Sequence, residues 1–170
     1  GYRIEEVAYT TNVKRYKEYK RKGLYDPELV DSKGNVQPSD PELKGGAGTC
    51  YMMFFKCRIK NYSDTAKRIR ASVPATGNYM KDGRYAYEGD NTYFTCSKKT
   101  EFDPDVIQLN PGEEVTCVTG KLQVCSKKYW DIDKTDFYVR LCGRGDGISD
   151  PDKLDPRAGV LGTAVNILVK

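Results

Sequence analysis

Six cysteines and no histidine are the residues of this 170-residue chain that bear most directly on chemistry. The cysteines are scattered over its middle and later regions: Cys50, Cys57, Cys96, Cys117, Cys125 and Cys142. None stands in the closely spaced pairs that are typical of zinc sites. An even, scattered set is typical of disulfides in oxidising compartments, so we expect three structural bridges in a secreted, cell-surface protein. Spacing does not fix their connectivity; we favour Cys57 with Cys142, which would join the strongest strand to a late one.

Catalytic machinery is not indicated by the sequence. The lack of histidine removes the commonest general base and the commonest metal ligand. There is no nucleophile elbow, no phosphate-binding loop and no Cys–His pair. We therefore expect a protein that is not an enzyme and that needs no cofactor.

Two weaker signals concern metal binding and modification. Carboxylates on a turn-rich segment are typical calcium ligands, but the spacing here does not match the twelve-residue calcium loop, so a solvated connection is the preferred interpretation. The weak calcium candidates are Asp146, Asp150, Asp152 and Asp155. The tripeptide from Asn61 to Ser63 is an N-glycosylation sequon at an expected surface turn, which makes Asn61 a glycosylation candidate.

The composition is that of a soluble globular protein. Hydrophobic residues make up 38% of the chain and charged residues 31%, and no apolar run of about 20 residues could span a membrane. The net charge of +4 is modest and does not indicate nucleic-acid binding. Because the chain starts at Gly1 without an apolar signal core, we expect it to be the processed form of an exported protein.

The elements before residue 50 are expected to be an arm, a helix and a loop. Residues 1–11 predict an extended arm with imperfect alternation, in which the apolar positions are Tyr2, Ile4, Val7 and Tyr9. A short basic helix is expected over 13–22, with Asn12 as its N-cap and Gly23 at its end. The arm and the helix together form an N-terminal segment over 1–25. Residues 26–49 are rich in Pro, Asp, Gly and Ser and predict a loop.

Residues 50–170 predict one β-sheet domain. The strongest strand signal is 50–61, whose Met53, Phe55, Cys57 and Ile59 fall on one face, and whose first half is apolar on both faces, as in a covered central strand. A strand over 66–74 is expected to form a hairpin with it. Further strands are predicted over 84–87, 92–96, 105–109, 114–123, 136–142 and 160–169. This layout favours an all-β, antiparallel sandwich.

A family resemblance rests on three segments: KNYSD at 60–64, LNPGEEVT at 109–116 and DFYVRLC at 136–142. Their order resembles that in secreted bacterial and archaeal β-sandwich domains of the immunoglobulin-like or jelly-roll type. The resemblance implies a sandwich, and it extends to subunits of pili and filaments that assemble by strand donation. Immunoglobulin-like and jelly-roll topologies both remain open.

Two functions follow as hypotheses. In the first, the protein is a structural subunit of an extracellular filament or pilus, whose N-terminal arm adds a strand to a neighbouring copy. In the second, it is a monomeric secreted binding or adhesion module that presents its loops, with the basic segment as a docking patch. The expected partner is a second copy of the chain or another extracellular protein, not nucleic acid.

Overall fold

The structure is a computed structural model, and its described residues are predominantly β-strand. They are 1–37, 49–72, 75–80, 85–86, 91–100, 104–125, 135–142, 160–161 and 164–168. Their strands are β1 (Tyr2–Thr10), β2 (Thr49–Lys60), β3 (Lys67–Arg70), β4 (Ala75–Met80), β5 (Tyr85–Ala86), β6 (Asn91–Cys96), β7 (Val106–Leu109), β8 (Glu114–Cys125), β9 (Thr135–Cys142), β10 (Val160–Leu161) and β11 (Ala164–Leu168). The pairings β1–β2, β3–β7, β4–β5, β4–β9, β6–β8, β9–β11 and β10–β11 are antiparallel. The predicted all-β class is confirmed.

The chain divides into two compact units that interleave along the sequence. The first unit contains Gly1–Ser72 and Asp90–Val124, and the second contains Val73–Gly89 and Cys125–Lys170. This division differs from the sequence-based one, in which an N-terminal segment (1–25), a loop (26–49) and a sheet domain (50–170) follow each other.

The first unit is built on a four-stranded sheet with the order β1-β2-β8-β6. Its central strand β2 is apolar on both faces, and both faces are buried: Met52, Met53, Phe54 and Phe55 have no exposed surface. A strand of this kind needs cover on each side, because an exposed apolar face would lose the stabilisation that burial supplies. The prediction of a covered central strand is confirmed.

One face of this sheet is covered by the segment 11–37. Buried residues of this segment pack against one row of β2, β6 and β8 to form a first core. Its members from the segment are Val13, Tyr16, Leu24, Leu29, Val30 and Val36, and those from the strands are Cys50, Met52, Phe54, Tyr93, Val118 and Leu122. The segment, which was predicted to be a short helix and part of a loop, is therefore one layer of the unit.

The predicted basic helix over 13–22 is wrong. Two separate 3-10 turns, Val13–Arg15 and Arg21–Gly23, occupy this stretch, and Tyr16 between them is in an extended conformation. The break places the Tyr16 ring on Phe54, with 4.3 Å between stacked centroids, and the Tyr19 ring on Tyr93 at 5.6 Å. Short helices are marginal in water, so these aromatic contacts determine the backbone. Asn12 does cap the first turn, since its side chain accepts from the Lys14 N–H at 3.1 Å.

The two-stranded sheet β3-β7 covers part of the other face of the sheet. Ile107 and Leu109 of β7 and Ala71, directly after β3, form a second core with the opposite row of the large sheet, and Ile69 of β3 packs against this core. The residues of the large sheet in the second core are Ile59, Phe94, Val115 and Cys117. The predicted hairpin between β2 and β3 is therefore wrong, because β3 pairs with β7 over Lys67–Arg70 and Val106–Leu109. The Asn61 amide holds the intervening turn by donating to the carbonyls of Thr65 and Leu109.

The second unit is a five-stranded sheet with the order β10-β11-β9-β4-β5. The central strand β9 pairs with β11 through Tyr138–Cys142 and with β4 through Thr135–Arg140. The strand predicted over 160–169 is split into β10 and β11, which pair with each other. Within the residues that the structure describes, no helix is long and apolar enough to cross a membrane.

Candidate functional site

The N-terminal arm forms strand β1 at one edge of the four-stranded sheet. Eight residue pairs connect β1 to β2, from Tyr2 opposite Ile59 to Thr10 opposite Met52. The terminal ammonium of Gly1 donates to the Lys60 carbonyl at 2.7 Å, and the Lys60 N–H donates to the Gly1 carbonyl at 2.9 Å. The arm therefore pairs with β2 along nearly the whole length of that strand.

A β-bulge explains the imperfect alternation of the arm. The register shifts between Ile4 and Glu6, so that Glu5 is an additional residue. Tyr2 and Ile4 lie before the shift, and Val7 and Tyr9 lie after it. Their partners on β2 are Ile59, Cys57, Phe55 and Met53 in that order. Residues directly opposite each other share a face, so the bulge places all four predicted arm residues on one face.

The arm contributes to both cores of the first unit, although its own side chains are only partly buried. Tyr2 packs against the second core and Ala8 against the first. Tyr9 keeps 40% of its surface exposed and meets the Tyr51 ring edge-on at 6.1 Å. Glu5 also pairs with Arg58, with 2.7 Å between Oε1 and Nη2. The arm therefore completes a sheet and two cores while remaining at the surface.

Cys96 and Cys117 form a second notable arrangement, at the opposite edge of the same sheet. They lie directly opposite each other on β6 and β8, and the Cys117 thiol donates to Cys96 with 3.0 Å between the two sulfurs. The next pair along, Ser97 and Thr116, is joined by a backbone hydrogen bond. The cysteines are therefore at a non-hydrogen-bonded position, where the Cα atoms of antiparallel strands come closest.

The two thiols of this pair differ in acidity. The hydrogen bond from Cys117, together with the N–H groups of Lys98 and Ser97, outweighs burial and lowers the pKa of Cys96 to about 7. The same hydrogen bond, followed by burial, raises the pKa of Cys117. An open groove of 430 Å³ leads to Cys96, and its lining includes Lys22, Tyr25 and Lys99.

Of the other predicted disulfide residues, the structure describes the side chains of two. Cys50 and Cys57 are buried free thiols, and burial raises the pKa of Cys57 to about 11. Cys125 and Cys142 lie at the ends of β8 and β9, and their side chains are outside the described residues. The predicted pairing of Cys57 with Cys142, and the predicted set of three bridges, stay predictions.

Asn61 is held inside a turn rather than presented to solvent. Its side chain is buried, its amide nitrogen donates to two carbonyls at 2.8 and 3.0 Å, and its oxygen accepts from Ser63. A glycan attached to this nitrogen would remove one of these hydrogen bonds. The predicted glycosylation stays a prediction, and attachment of a glycan would cost the stability that this hydrogen bond supplies.

The weak calcium candidates Asp146, Asp150, Asp152 and Asp155 lie outside the described residues. Among the residues that the structure does describe, no three cysteines or carboxylates are grouped closely enough to hold a metal ion.

The buried carboxylate of Asp105 was not identified from the sequence. Asp105 accepts from Arg70 at 2.6 Å and from the Ser72 hydroxyl, and its carbonyl accepts from the Ala71 N–H. Asp105 thereby fixes the end of β3 to the start of β7. A single Asp before a short strand gives no signal of this role, because the partners come from 33 or more residues earlier.

Comparison of the chain with models of known protein families, with curated proteins and with solved structures finds no match.

Proposed function

We propose that this protein is a non-enzymatic structural subunit of an extracellular filament, with a β-sandwich body, which assembles when the arm β1 of one copy pairs with β2 of the next. The observation that carries the proposal is the position of β1. β1 is the edge strand of the four-stranded sheet and lies directly beside β2. Its side chains also contribute to the two apolar cores on either face of that sheet.

The pairing that the arm makes within one chain is the same pairing that it would make between chains. Exchange of an identical element between copies replaces each lost contact with an equal one, so its net cost is small. A head-to-tail exchange that does not close into a ring extends into a fibre. The contacts available for exchange are the eight β1–β2 residue pairs, the Gly1–Lys60 hydrogen bonds and the Glu5–Arg58 ion pair.

The sandwich body is supported by the two layers that cover the four-stranded sheet. The β3-β7 sheet packs on the face that carries Ile59, and the segment 11–37 packs on the face that carries Met52 and Phe54. Of these two layers, β3-β7 is itself an antiparallel sheet, and immunoglobulin-like and jelly-roll topologies both pack one antiparallel sheet on another.

Disulfide trapping tests whether the arm pairs with β2 of its own chain or with β2 of a neighbouring copy. Ile4 lies opposite Cys57, and this pair is non-hydrogen-bonded because the Gly1–Lys60 pair three steps away exchanges both of its backbone hydrogen bonds. In Ile4→Cys, mild oxidation of native assemblies should bridge the introduced thiol to Cys57. We expect a ladder of covalent oligomers on non-reducing gels, in which peptide mapping finds this bridge between chains.

The matched control for the trap is Ile4→Ser, which introduces a side chain of the same size without a sulfur, and which should give no ladder beyond that of the parent. If the bridge in Ile4→Cys forms only within monomers, the filament proposal is wrong and the protein is a monomeric module. Light scattering of the parent protein gives the second readout, since the proposal requires polymers that grow with concentration.

A further inference from the structure

We propose that Cys96 and Cys117 are a reversible dithiol–disulfide pair, in which Cys96 reacts with a small-molecule disulfide that enters the groove beside β6 and Cys117 closes the bridge. The proposal is independent of filament assembly. It assigns one specific bridge and a reaction to two of the six cysteines that the sequence analysis treated as structural.

The backbone already holds the two thiols in place for a bridge. Directly opposite residues at a non-hydrogen-bonded position have Cα atoms about 4.5 Å apart, which is within the range that disulfides span. The sulfurs are 3.0 Å apart and in hydrogen-bond contact. Bond formation needs an approach to about 2.05 Å, which side-chain rotation supplies without movement of the strands.

Accessibility and charge distinguish the two thiols. Cys96 is partly exposed and lines the open groove, whereas Cys117 is buried in the second core. The Lys98 N–H donates to the Cys96 sulfur at 3.4 Å and thereby favours its thiolate form. Cys96 is therefore the attacking thiol, and Cys117 is the resolving thiol that meets it from the interior.

The reaction balances with a small disulfide, RSSR, as the two-electron oxidant. The Cys96 thiolate attacks one sulfur of RSSR, forms a mixed disulfide and releases one RS⁻. Cys117 then attacks the Cys96 sulfur, its proton passes to the departing second RS⁻, and the intramolecular bridge forms. Two thiols of the protein are oxidised and one RSSR is reduced to two RSH; excess RSH reverses both steps.

Cys50 and Cys57 lack these features. Cys50 is buried in the first core, and burial raises the pKa of its thiol. Cys57 is almost completely buried and faces Tyr2 and Ile4 of the arm. Among the four cysteines whose surroundings the structure describes, only Cys96 combines exposure, a thiol neighbour and an open approach.

The test uses the full-length, fully reduced protein and oxidised glutathione at neutral pH, with acid quenching, alkylation and peptide mapping over time. We expect the Cys96–Cys117 bridge to form first, with two equivalents of reduced glutathione released for each bridge. In Cys117→Ser, the mixed disulfide of Cys96 with glutathione should accumulate. In Cys96→Ser, oxidation of Cys117 should slow by at least about tenfold, because Cys117 is buried and has lost the exposed thiol that reacts first.

Cys50→Ser is the matched control, since it also removes one thiol of the first unit but should form the bridge at the parent rate. Far-ultraviolet circular dichroism of each variant checks that the sheets persist. The proposal is overturned if Cys96 and Cys117 stay reduced while other cysteines are oxidised, if they pair with other cysteines, or if Cys117 is oxidised as fast in Cys96→Ser as in the parent.

Discussion

β1 and β6 are the two outer strands of one four-stranded sheet, yet they are held in different ways. β1 is attached by backbone pairing and by partly exposed side chains. β6 buries Tyr93 and Phe94, and its outer side is covered where the Tyr25 N–H donates to the Thr92 carbonyl. If the arm exchanges between copies as proposed, the burial of side chains, rather than strand pairing, distinguishes the edge that exchanges from the edge that stays closed.

Each outer strand also takes part in a non-hydrogen-bonded pair that includes cysteine: Cys96 of β6 lies opposite Cys117, and Ile4 of β1 lies opposite Cys57 of β2. The largest difference is expected between the reactivities of Cys96 and Cys57. With pKa values of about 7 for Cys96 and about 11 for Cys57, the thiolate fractions at pH 8 differ roughly a thousandfold. We expect iodoacetamide to alkylate Cys96 at a rate that rises as the pH passes through 7 and then levels off. Cys57 should stay unmodified in the folded protein up to pH 9. Mass spectrometry of timed digests measures both rates, and equal rates would contradict the assigned environments.

Removal of the largest buried side chain of the closed edge should have the largest effect on stability. Tyr93 is fully buried, meets Phe54 edge-on at 5.3 Å and accepts from the Lys20 N–H at 3.0 Å. Tyr93→Ala should lower the free energy of unfolding by about 3–5 kcal/mol, as for other buried aromatic residues. The matched variant on the other edge, Tyr9→Ala, should lower it by less than about 1 kcal/mol. Chemical denaturation compares them, and similar losses would remove the distinction between the edges.

Gly23 packs so closely on β6 that there is no space for a side chain at this position. A Cβ there would lie 2.6 Å from a Thr95 methyl carbon, 2.7 Å from the Tyr93 ring and 2.9 Å from the Phe94 carbonyl oxygen. We expect Gly23→Ala to lower the free energy of unfolding by about 1–3 kcal/mol through overpacking. Lys22→Ala, at the exposed neighbouring position, should stay within about 0.5 kcal/mol of the parent. Urea titration measures both, and a neutral Gly23→Ala would show that the cover is loose.

The smallest effect is expected at the ion pair of the arm. Arg58 is 45% exposed and Glu5 is 20% exposed at the side-chain level. Glu5→Gln should therefore lower the free energy of unfolding by less than about 1 kcal/mol, and the difference should shrink at high salt. Thermal unfolding at two salt concentrations measures it. A larger, salt-independent loss would mean that the arm is held more firmly than its exposure indicates.

Most of the strands, though not β4, and the central position of β2 could be predicted from the sequence because they depend on local patterns. Met53, Phe55, Cys57 and Ile59 alternate strictly, and the run from Met52 to Phe55 has no polar residue that would allow one face to meet water. The apolar positions of the arm were also identified, although the bulge that aligns them was not. Its signal is present: one additional residue separates Ile4 from Val7.

Features that depend on distant partners could not be predicted. The choice of β7 over β2 as the partner of β3 depends on Asn61 and Asp105, whose hydrogen bonds connect residues far apart in sequence. Cys96 lies opposite Cys117 because of the register between β6 and β8, and the spacing of cysteines along the sequence does not determine that register. The basic run was interpreted as a helix because a pattern does not show that two of its tyrosines would each find an aromatic ring on the sheet.

The additional residue at Glu5 has a consequence for how molecules of this protein meet side by side. Bulges bend and twist an edge strand, and charged residues on such an edge discourage another sheet from docking along it. Arg3 is exposed on β1, and Glu5, two residues later, places a partly exposed charged side chain at the same edge. Random lateral stacking of these sheets should therefore be suppressed, so that concentrated solutions stay clear of amorphous aggregate.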